Sequence, residues 1–193
     1  MKAKACAKKL TFQILFLIFA VCMNYLGSVC AGKIILPLYL DSIITIAATA
    51  ICGLWGGVLC AVLSNLAMYI FDRTMFVFVS CHILTAVFAW LTFRHHKRVS
   101  ENEVLTLDTF LWAGVWSAAS NAVLGNILSV SLFSASTIEN VDNIVQGIYL
   151  ATESIPFVLC FGGTVTNLVD KMISAAVSYG VYRVVKKIYS FFG

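Results

Sequence analysis

Charged residues are scarce in this chain. They make up 11% of its 193 residues, whereas hydrophobic residues make up 61%. A soluble domain has roughly 25% charged and about 45–50% apolar residues, and so short a chain has too little interior to hide the excess. Lipid must cover much of the surface. The composition therefore predicts an integral membrane protein, and the lack of any polar linker predicts one domain over residues 1–193.

Paired cysteines and catalytic motifs are also missing. The seven cysteines stand singly, with no CxxC pair, which argues against a disulfide framework or a zinc site and favours packing as small apolar residues. The sequence contains no HExxH, no GxSxG and no phosphate-binding loop. We therefore predict no catalytic residue, no metal and no cofactor, and we predict that the chain does not itself hydrolyse ATP.

Apolar runs predict six membrane spans. Their bounds are 10–31, 42–55, 56–71, 75–93, 106–133 and 161–185. The first follows a basic start that imitates a signal peptide, but its apolar run continues to Ala31, so we expect an uncleaved span. The second and third are short and meet at the glycine-rich stretch 53–57, which predicts a tight helical hairpin. The segment 144–160 is predicted to be an outer loop, partly helical.

Basic residues predict how the spans are oriented. They form three clusters. The first precedes span 1 (Lys2, Lys4, Lys8 and Lys9), the second follows span 4 (Arg94, Lys97 and Arg98), and the third ends span 6 (Arg183, Lys186 and Lys187). With six spans all three lie on one side, which the positive-inside rule assigns to the cytoplasm. The prediction is an all-α, six-transmembrane-helix bundle of a bacterial cell membrane with both termini cytoplasmic. The net charge of +4 is then a topology signal and predicts no nucleic-acid binding.

Small residues at intervals of four predict close helix contacts in two places. One stripe is Gly53, Gly57 and Ala61, and the other is Gly114, Ala118 and Ala122. The basic motif RHHKR at 94–98 is predicted to be a juxtamembrane anchor; metal binding by its two histidines is the alternative.

Polar residues inside the spans mark a candidate site. Asn167, Asp170 and Lys171 lie in the last span, and spacings of three and four place them near one helix face. An ionisable residue in hydrocarbon costs several kcal/mol unless it meets a partner or a wet cavity, so it is a functional-site hypothesis by default. Because span 6 begins outside, this stripe opens in the outer half of the membrane. The alternative is structural, since such groups also bond across helices to hold a bundle.

Two blocks of sequence carry a family resemblance. The first is PLYLDSIITIAATAICGLWGGVLCAVLSNLAMYIF at 37–71, where an apolar hairpin with a glycine-rich turn follows a loop containing Pro and Asp. The second is PFVLCFGGTVTNLVDKMISAAVSYGVYR at 156–183, with an Asn-Leu-x-Asp-Lys element after a long loop. With the size and the six predicted spans, these blocks make the chain similar to the substrate-binding S components of energy-coupling factor (ECF) vitamin transporters.

The resemblance implies a division of labour. An S component captures a small polar solute, a water-soluble vitamin or related micronutrient, from outside the cell and is not an enzyme. It docks on a transmembrane ECF coupling protein that two cytoplasmic ATPase subunits drive. Span 1 lacks the AxxxA face that S components commonly use for docking, so Gly53, Gly57 and Ala61 are expected to serve instead.

The resemblance also implies which residues bind substrate. In the family, contacts come from the outer halves of spans 4 to 6 and from loops 1, 3 and 5. This singles out Asn167, Asp170 and Lys171. The weaker candidates lie in spans 5 and 4 and in loops 1 and 5: Asn121, Asn126, His82, Asp41 and Glu153.

Two other functions stay open at this point. One is a multi-span membrane sensor or input module, and the other is an intramembrane enzyme that uses His82, Asp170 or Glu153. His82 has a structural alternative as a hydrogen-bonded core histidine. The charge of the ligand is open too, because an excess of outer acids favours a neutral or cationic solute, whereas Lys171 and Arg73 suit a carboxylate or phosphate.

Overall fold

The protein is built from helices. A computed structural model describes residues 2–33, 38–100, 104–133 and 155–192, and the side chains of 7–33, 38–100, 104–129, 131 and 161–188. Its elements are α1 (Lys2–Lys33), α2 (Thr45–Tyr69), a 3-10 segment (Arg73–Phe78), α3 (Val79–Val99), α4 (Leu107–Phe133) and α5 (Ile155–Phe192). The described ranges contain no strand, which confirms the all-α class.

Three helical stretches are long and apolar enough to cross a bilayer. These are Ala7–Lys33, Thr45–Tyr69 and Arg73–Val99. The predicted spans 10–31 and 75–93 fall within the first and last of them, and the predicted span 106–133 coincides with α4. The helix that contains the predicted span 161–185 begins earlier, at Ile155, and residues 144–154 lie outside the described part of the chain.

A sharp reversal at Gly53 divides α2 into two limbs. Gly53 has φ 77° and ψ −175°, a conformation that is essentially confined to glycine. The Thr45 hydroxyl lies 3.9 Å from Cys60 Sγ, although 15 residues of straight helix would separate them by about 22 Å. The limbs are therefore antiparallel, and the hairpin predicted at the glycine-rich stretch is confirmed. The first limb, Thr45–Cys52, rises only about 12 Å, less than half of a ~30 Å hydrocarbon core.

Replacing Gly53 by Ala is expected to lower the free energy of unfolding by about 1–3 kcal/mol, the cost of a strained backbone conformation. A Cβ at this position would meet nothing within 4 Å, so the loss would come from the backbone alone. Thermal unfolding in detergent measures it. Gly180→Ala is the matched control, because Gly180 also has open space around it but lies in regular helix. Equal stability of the two variants would contradict the assignment of strain to Gly53.

The small-residue stripes pack inside the chain. A Cβ on Gly114 of α4 would lie 2.9 Å from the Ala175 Cβ and from the Lys171 carbonyl oxygen of α5. A Cβ on Gly57 would lie 3.1 Å from the Ala86 Cβ of α3. Both predicted close contacts are therefore present. Gly57 and Ala61 are buried, so they are not available as the docking surface expected above.

The basic clusters gather at one end of the bundle, which we call the basic end. Lys9 and Lys186 line a depression beside Ile51, and the three cations at the end of α3 line another beside Gly53. The hairpin turn of α2 thus marks the basic end. The beginning of α3 lies at the other end. Cys81, in its first turn, is about 20 Å from Arg94 along the helix axis.

Candidate functional site

The first loop of the protein is held in place by the acid in α5. Residues 38–44, which we call loop 1, are not helical except for the turn that leads into α2. Asp170 Oδ1 accepts hydrogen bonds from the backbone amides of Tyr39, at 3.2 Å, and Leu40, at 2.7 Å. Leu40 has a positive φ of 46°. On the opposite side, Gly27 of α1 leaves room for the Leu40 carbonyl oxygen, since a Cβ there would lie 2.5 Å from it.

The ammonium group of Lys171 contacts the same loop. Its Nζ donates to Asp170 Oδ2 at 2.7 Å, to the Ser42 hydroxyl at 2.6 Å and to Asp41 Oδ1 at 3.3 Å. Asp170 is fully buried and Lys171 is 2% exposed. Two turns further along α5, Ser178 donates to the Ile43 carbonyl at 2.9 Å and accepts from the Ala47 amide.

These contacts explain why an apolar helix carries an acid and a base side by side. Non-helical backbone packed inside a bundle must find its hydrogen-bond partners within the protein. Asp170, Lys171 and Ser178 supply those partners to loop 1. Both Asp170 oxygens are thereby engaged, Oδ1 by the Leu40 amide of the loop and Oδ2 by Lys171 Nζ.

A small cavity lies beside Lys171 and between loop 1, the 3-10 segment, α3, α4 and α5. Its volume is about 50 Å³. The residues that line it are Tyr39, Asp41, Met75, Phe78, Cys81, Asn121, Gly125, Asn126, Ser129, Asn167 and Lys171. Five of the eight predicted substrate-binding residues are thus brought together at one place. Asp170 and His82 do not line the cavity, and Glu153 lies outside the described residues.

Asn121 lines this cavity and has an unused acceptor. Its amide nitrogen donates to the Thr85 hydroxyl at 2.9 Å, but its buried Oδ1 has no hydrogen-bond partner. The residue is only 3% exposed. A buried carbonyl oxygen without a donor costs about 1–3 kcal/mol, and an N–H or O–H group of a bound molecule would relieve this cost once the side chains that cover the oxygen move aside.

The other two asparagines pack closely between α4 and α5. Asn167 lines the cavity and donates from Nδ2 to the Gly163 carbonyl at 2.8 Å. Asn126 of α4 lies directly over Gly163, where a Cβ would collide with Asn126 Oδ1. Glycine at 163 therefore lets the Asn126 amide reach the cavity. Sequence reasoning did not single out Gly163, although two adjacent glycines in an apolar span were a visible sign.

His82 belongs to a separate buried network. Asn65 Nδ2 donates to the Ala61 carbonyl at 2.9 Å and lies 2.7 Å from His82 Nδ1. Because that amide nitrogen is a donor, Nδ1 is an acceptor and the ring proton sits on Nε2, which donates to the Thr45 hydroxyl. Both ring nitrogens are engaged and the residue is 1% exposed. This is the structural alternative considered for His82.

Asn24 is the centre of that network and was missed as a key polar residue. Its Nδ2 donates to Thr45 Oγ1 at 2.9 Å and to Ser64 Oγ at 3.0 Å, and its Oδ1 accepts from the Ile44 amide at 2.8 Å. It is completely buried. A lone asparagine in the middle of an apolar span was the available signal. Asn24 ties α1 to both limbs of α2.

The described residues offer no metal site. No group of three or more His, Cys, Asp or Glu side chains lies close enough in these ranges to hold an ion. In the RHHKR motif, His96 Nδ1 lies 3.0 Å from the Thr109 hydroxyl and His95 is exposed. The arrangement at the cavity is one of hydrogen-bond donors and acceptors around a small desolvated space, which suits binding.

Comparison with known proteins does not identify a family for this chain. The chain matches no protein-family model, no curated protein and no solved structure.

Proposed function

We propose that this protein is the substrate-capture subunit of an ECF-type transporter, and that it takes up a small polar solute such as a water-soluble vitamin. The observation that carries the proposal is the convergence of five predicted residues on one cavity, among them Asn121 with its unpartnered Oδ1. A specific binding site needs a few polar groups placed in an otherwise apolar pocket. Met75, Phe78 and Cys81 provide the apolar part.

The polar groups at the cavity favour a ligand that is both donor and acceptor. Asn121 offers an acceptor, and the amides of Asn126 and Asn167 add further acceptor and donor positions. Lys171 Nζ lies 3.3 Å from the Asp41 carboxylate and 2.7 Å from the Asp170 carboxylate, so one positive charge meets two negative ones. A neutral or cationic solute with amide or hydroxyl groups therefore fits this lining better than an anion.

The volume of the cavity sets a condition on binding. Pockets for drug-sized ligands measure ~300–1,000 Å³, whereas this one measures about 50 Å³. A vitamin-sized solute must therefore displace lining side chains. Met75 and Phe78 of the 3-10 segment are the candidates for this movement, because no residue of the segment is fully buried.

The proposed topology has six membrane segments with both termini in the cytoplasm of a bacterium. The gathering of the basic clusters at one end supports it, because the positive-inside rule places such an end in the cytoplasm. The cavity then opens from the outer half of the membrane. The short limb Thr45–Cys52 reaches the outer half only together with loop 1, so the second segment is partly non-helical. The proposed partners are a membrane coupling protein and two ATPase subunits.

A membrane sensor is the second candidate, because the same cavity would serve an input module. Co-purification with a signalling protein, and not with ATPases, would favour it. The arrangement gives less support to an intramembrane enzyme. General acid–base catalysis needs an acid or His within reach of one reacting atom, and both His82 ring nitrogens and both Asp170 oxygens are already engaged.

Asn121→Leu and Asn167→Ala are each expected to weaken solute binding about tenfold or more, since each removes a hydrogen bond worth about 1–3 kcal/mol in a desolvated site. The solute is identified by untargeted mass spectrometry of small molecules that co-purify with the full chain in detergent. Its retained occupancy and affinity are then compared between variants.

Ser120→Ala serves as the control for this experiment. Ser120 lies next to Asn121, but its hydroxyl donates within its own helix to the Ser117 carbonyl at 2.9 Å. Its affinity and melting temperature should equal those of the wild type. Wild-type affinity in both asparagine variants would refute the cavity as the binding site.

A further inference from the structure

A second pocket lies at the basic end, far from the solute cavity. It has a volume of about 290 Å³ and is lined by Arg94, Lys97 and Arg98 at the end of α3, by Trp90 one turn earlier, and by Thr49 and Gly53 at the α2 turn. All three cations are exposed at its rim. The pocket thus combines a dense positive charge with a concave shape.

The cations of this pocket have no acidic partners in the described part of the chain. The ion pairs in which both members are described join Lys171 to Asp41 and to Asp170. The three charges serve the end of α3 in part, because cations favour a helix C-terminus. That effect needs no concavity and no aromatic wall, so it leaves the pocket itself unexplained.

Trp90 positions one of the cations. The Arg94 guanidinium carbon lies 5.0 Å from the centre of the Trp90 ring, which is the geometry of a cation–π contact. A guanidinium stacked by its face keeps its N–H edge free for two parallel hydrogen bonds to phosphate oxygens. Lys97 and Arg98 lie three and four residues further along, on the same side of the helix.

Part of the pocket lining is apolar. Phe93 and Leu105 line it and are themselves buried, at 4% and 2% exposure. An anionic group at the rim with a short apolar continuation below it would match both halves. Anionic phospholipids have this build, and basic pockets between transmembrane helices on the cytoplasmic side are places where such headgroups bind.

We propose that this pocket binds the headgroup of an anionic phospholipid from the membrane leaflet at the basic end. Arg94 and Arg98 contact the phosphate, Lys97 adds a third charge, and the glycerol end of the acyl chains packs on Phe93 and Leu105. The lipid adds a link between the end of α3 and the turn of α2.

Native mass spectrometry of the full chain tests the proposal, with phosphatidylglycerol and phosphatidylcholine of the same acyl chains as probes. Wild type is expected to retain phosphatidylglycerol about tenfold better than phosphatidylcholine. The triple variant Arg94→Gln, Lys97→Gln, Arg98→Gln should lose this preference. Lys8→Gln, Lys186→Gln, Lys187→Gln removes as many exposed charges from the same end, outside this pocket, and should keep it. An equal loss in both triple variants would overturn the pocket in favour of diffuse surface charge.

Two further measurements separate a pocket from a charged surface and a lipid from a free anion. Trp90→Leu keeps every charge but removes the support of Arg94, and it should weaken phosphatidylglycerol retention about threefold; unchanged retention would overturn the proposed site. Millimolar glycerol 3-phosphate should not displace the lipid. Full displacement would show that the pocket takes a soluble phosphate, and the lipid assignment would fall. None of these outcomes depends on solute binding at Asn121.

Discussion

Asp170→Asn is expected to lower the free energy of unfolding by about 3–5 kcal/mol, the usual loss when one member of a buried ion pair is removed. The substitution keeps the shape of the side chain. It removes the charge that faces Lys171 Nζ at 2.7 Å and weakens the acceptor for the Leu40 amide. Of its two carboxylate partners Lys171 would keep only Asp41, at 3.3 Å, together with the Ser42 hydroxyl at 2.6 Å. Chemical or thermal unfolding in detergent, followed by tryptophan fluorescence, measures the loss.

A second substitution shows how much of the loss passes through Lys171. Asp170→Asn combined with Lys171→Met should cost less than the sum of the two single variants, because both residues belong to one network that also includes Asp41 and Ser42. Asp108→Asn is the control, since Asp108 is exposed in the first turn of α4 and should change stability by less than about 0.5 kcal/mol. If Asp170→Asn kept wild-type stability but lost solute binding, Asp170 would be a contact for the ligand and not a support for loop 1.

The local features of this fold were predictable from sequence. The glycine-rich stretch at Gly53 predicted the hairpin, because glycine readily adopts the positive φ that a sharp reversal needs. The apolar runs predicted the helices, because they too are local features of the sequence. Neither inference needed knowledge of which helices are neighbours.

The partner of Asp170 could not be predicted. The Leu40 amide lies 130 residues away along the chain, and nothing in the apolar pattern specifies that pairing. The sequence did show that a buried acid and base needed partners. Whether those partners belonged to a solute or to the protein itself was a question of tertiary contacts, and for Asp170 the contacts are with loop 1.

The roles of the buried asparagines could not be predicted from sequence either. Asn121 and Asn24 are both buried amides in apolar helices, and sequence alone does not distinguish them. The structure does, because Asn24 has both polar atoms bonded whereas Asn121 keeps its oxygen unpartnered. Hydrogen-bond satisfaction, which depends on three dimensions, separates the residue that supports the fold from the residue that is available to a ligand.

Asn24→Leu is accordingly expected to lower the free energy of unfolding by about 3 kcal/mol or more. It leaves the buried Ile44 amide and the Thr45 and Ser64 hydroxyls without this partner, and each unsatisfied group costs about 1–3 kcal/mol. Thermal unfolding in detergent is again the measurement. Cys22→Leu, on the exposed side of the same helix, should melt within a degree or two of wild type.

A graded series keeps this prediction testable if Asn24→Leu does not fold. Ser64→Ala removes one bond to Asn24 and should cost about 1 kcal/mol. Thr45→Val removes the bonds to Asn24 and to His82 and should cost more. Because the three residues share one network, the costs of the double variants should fall short of the sums of the single ones. Strict additivity would mean that α1 and the α2 hairpin are held together by apolar packing, with Asn24 contributing as an isolated side chain.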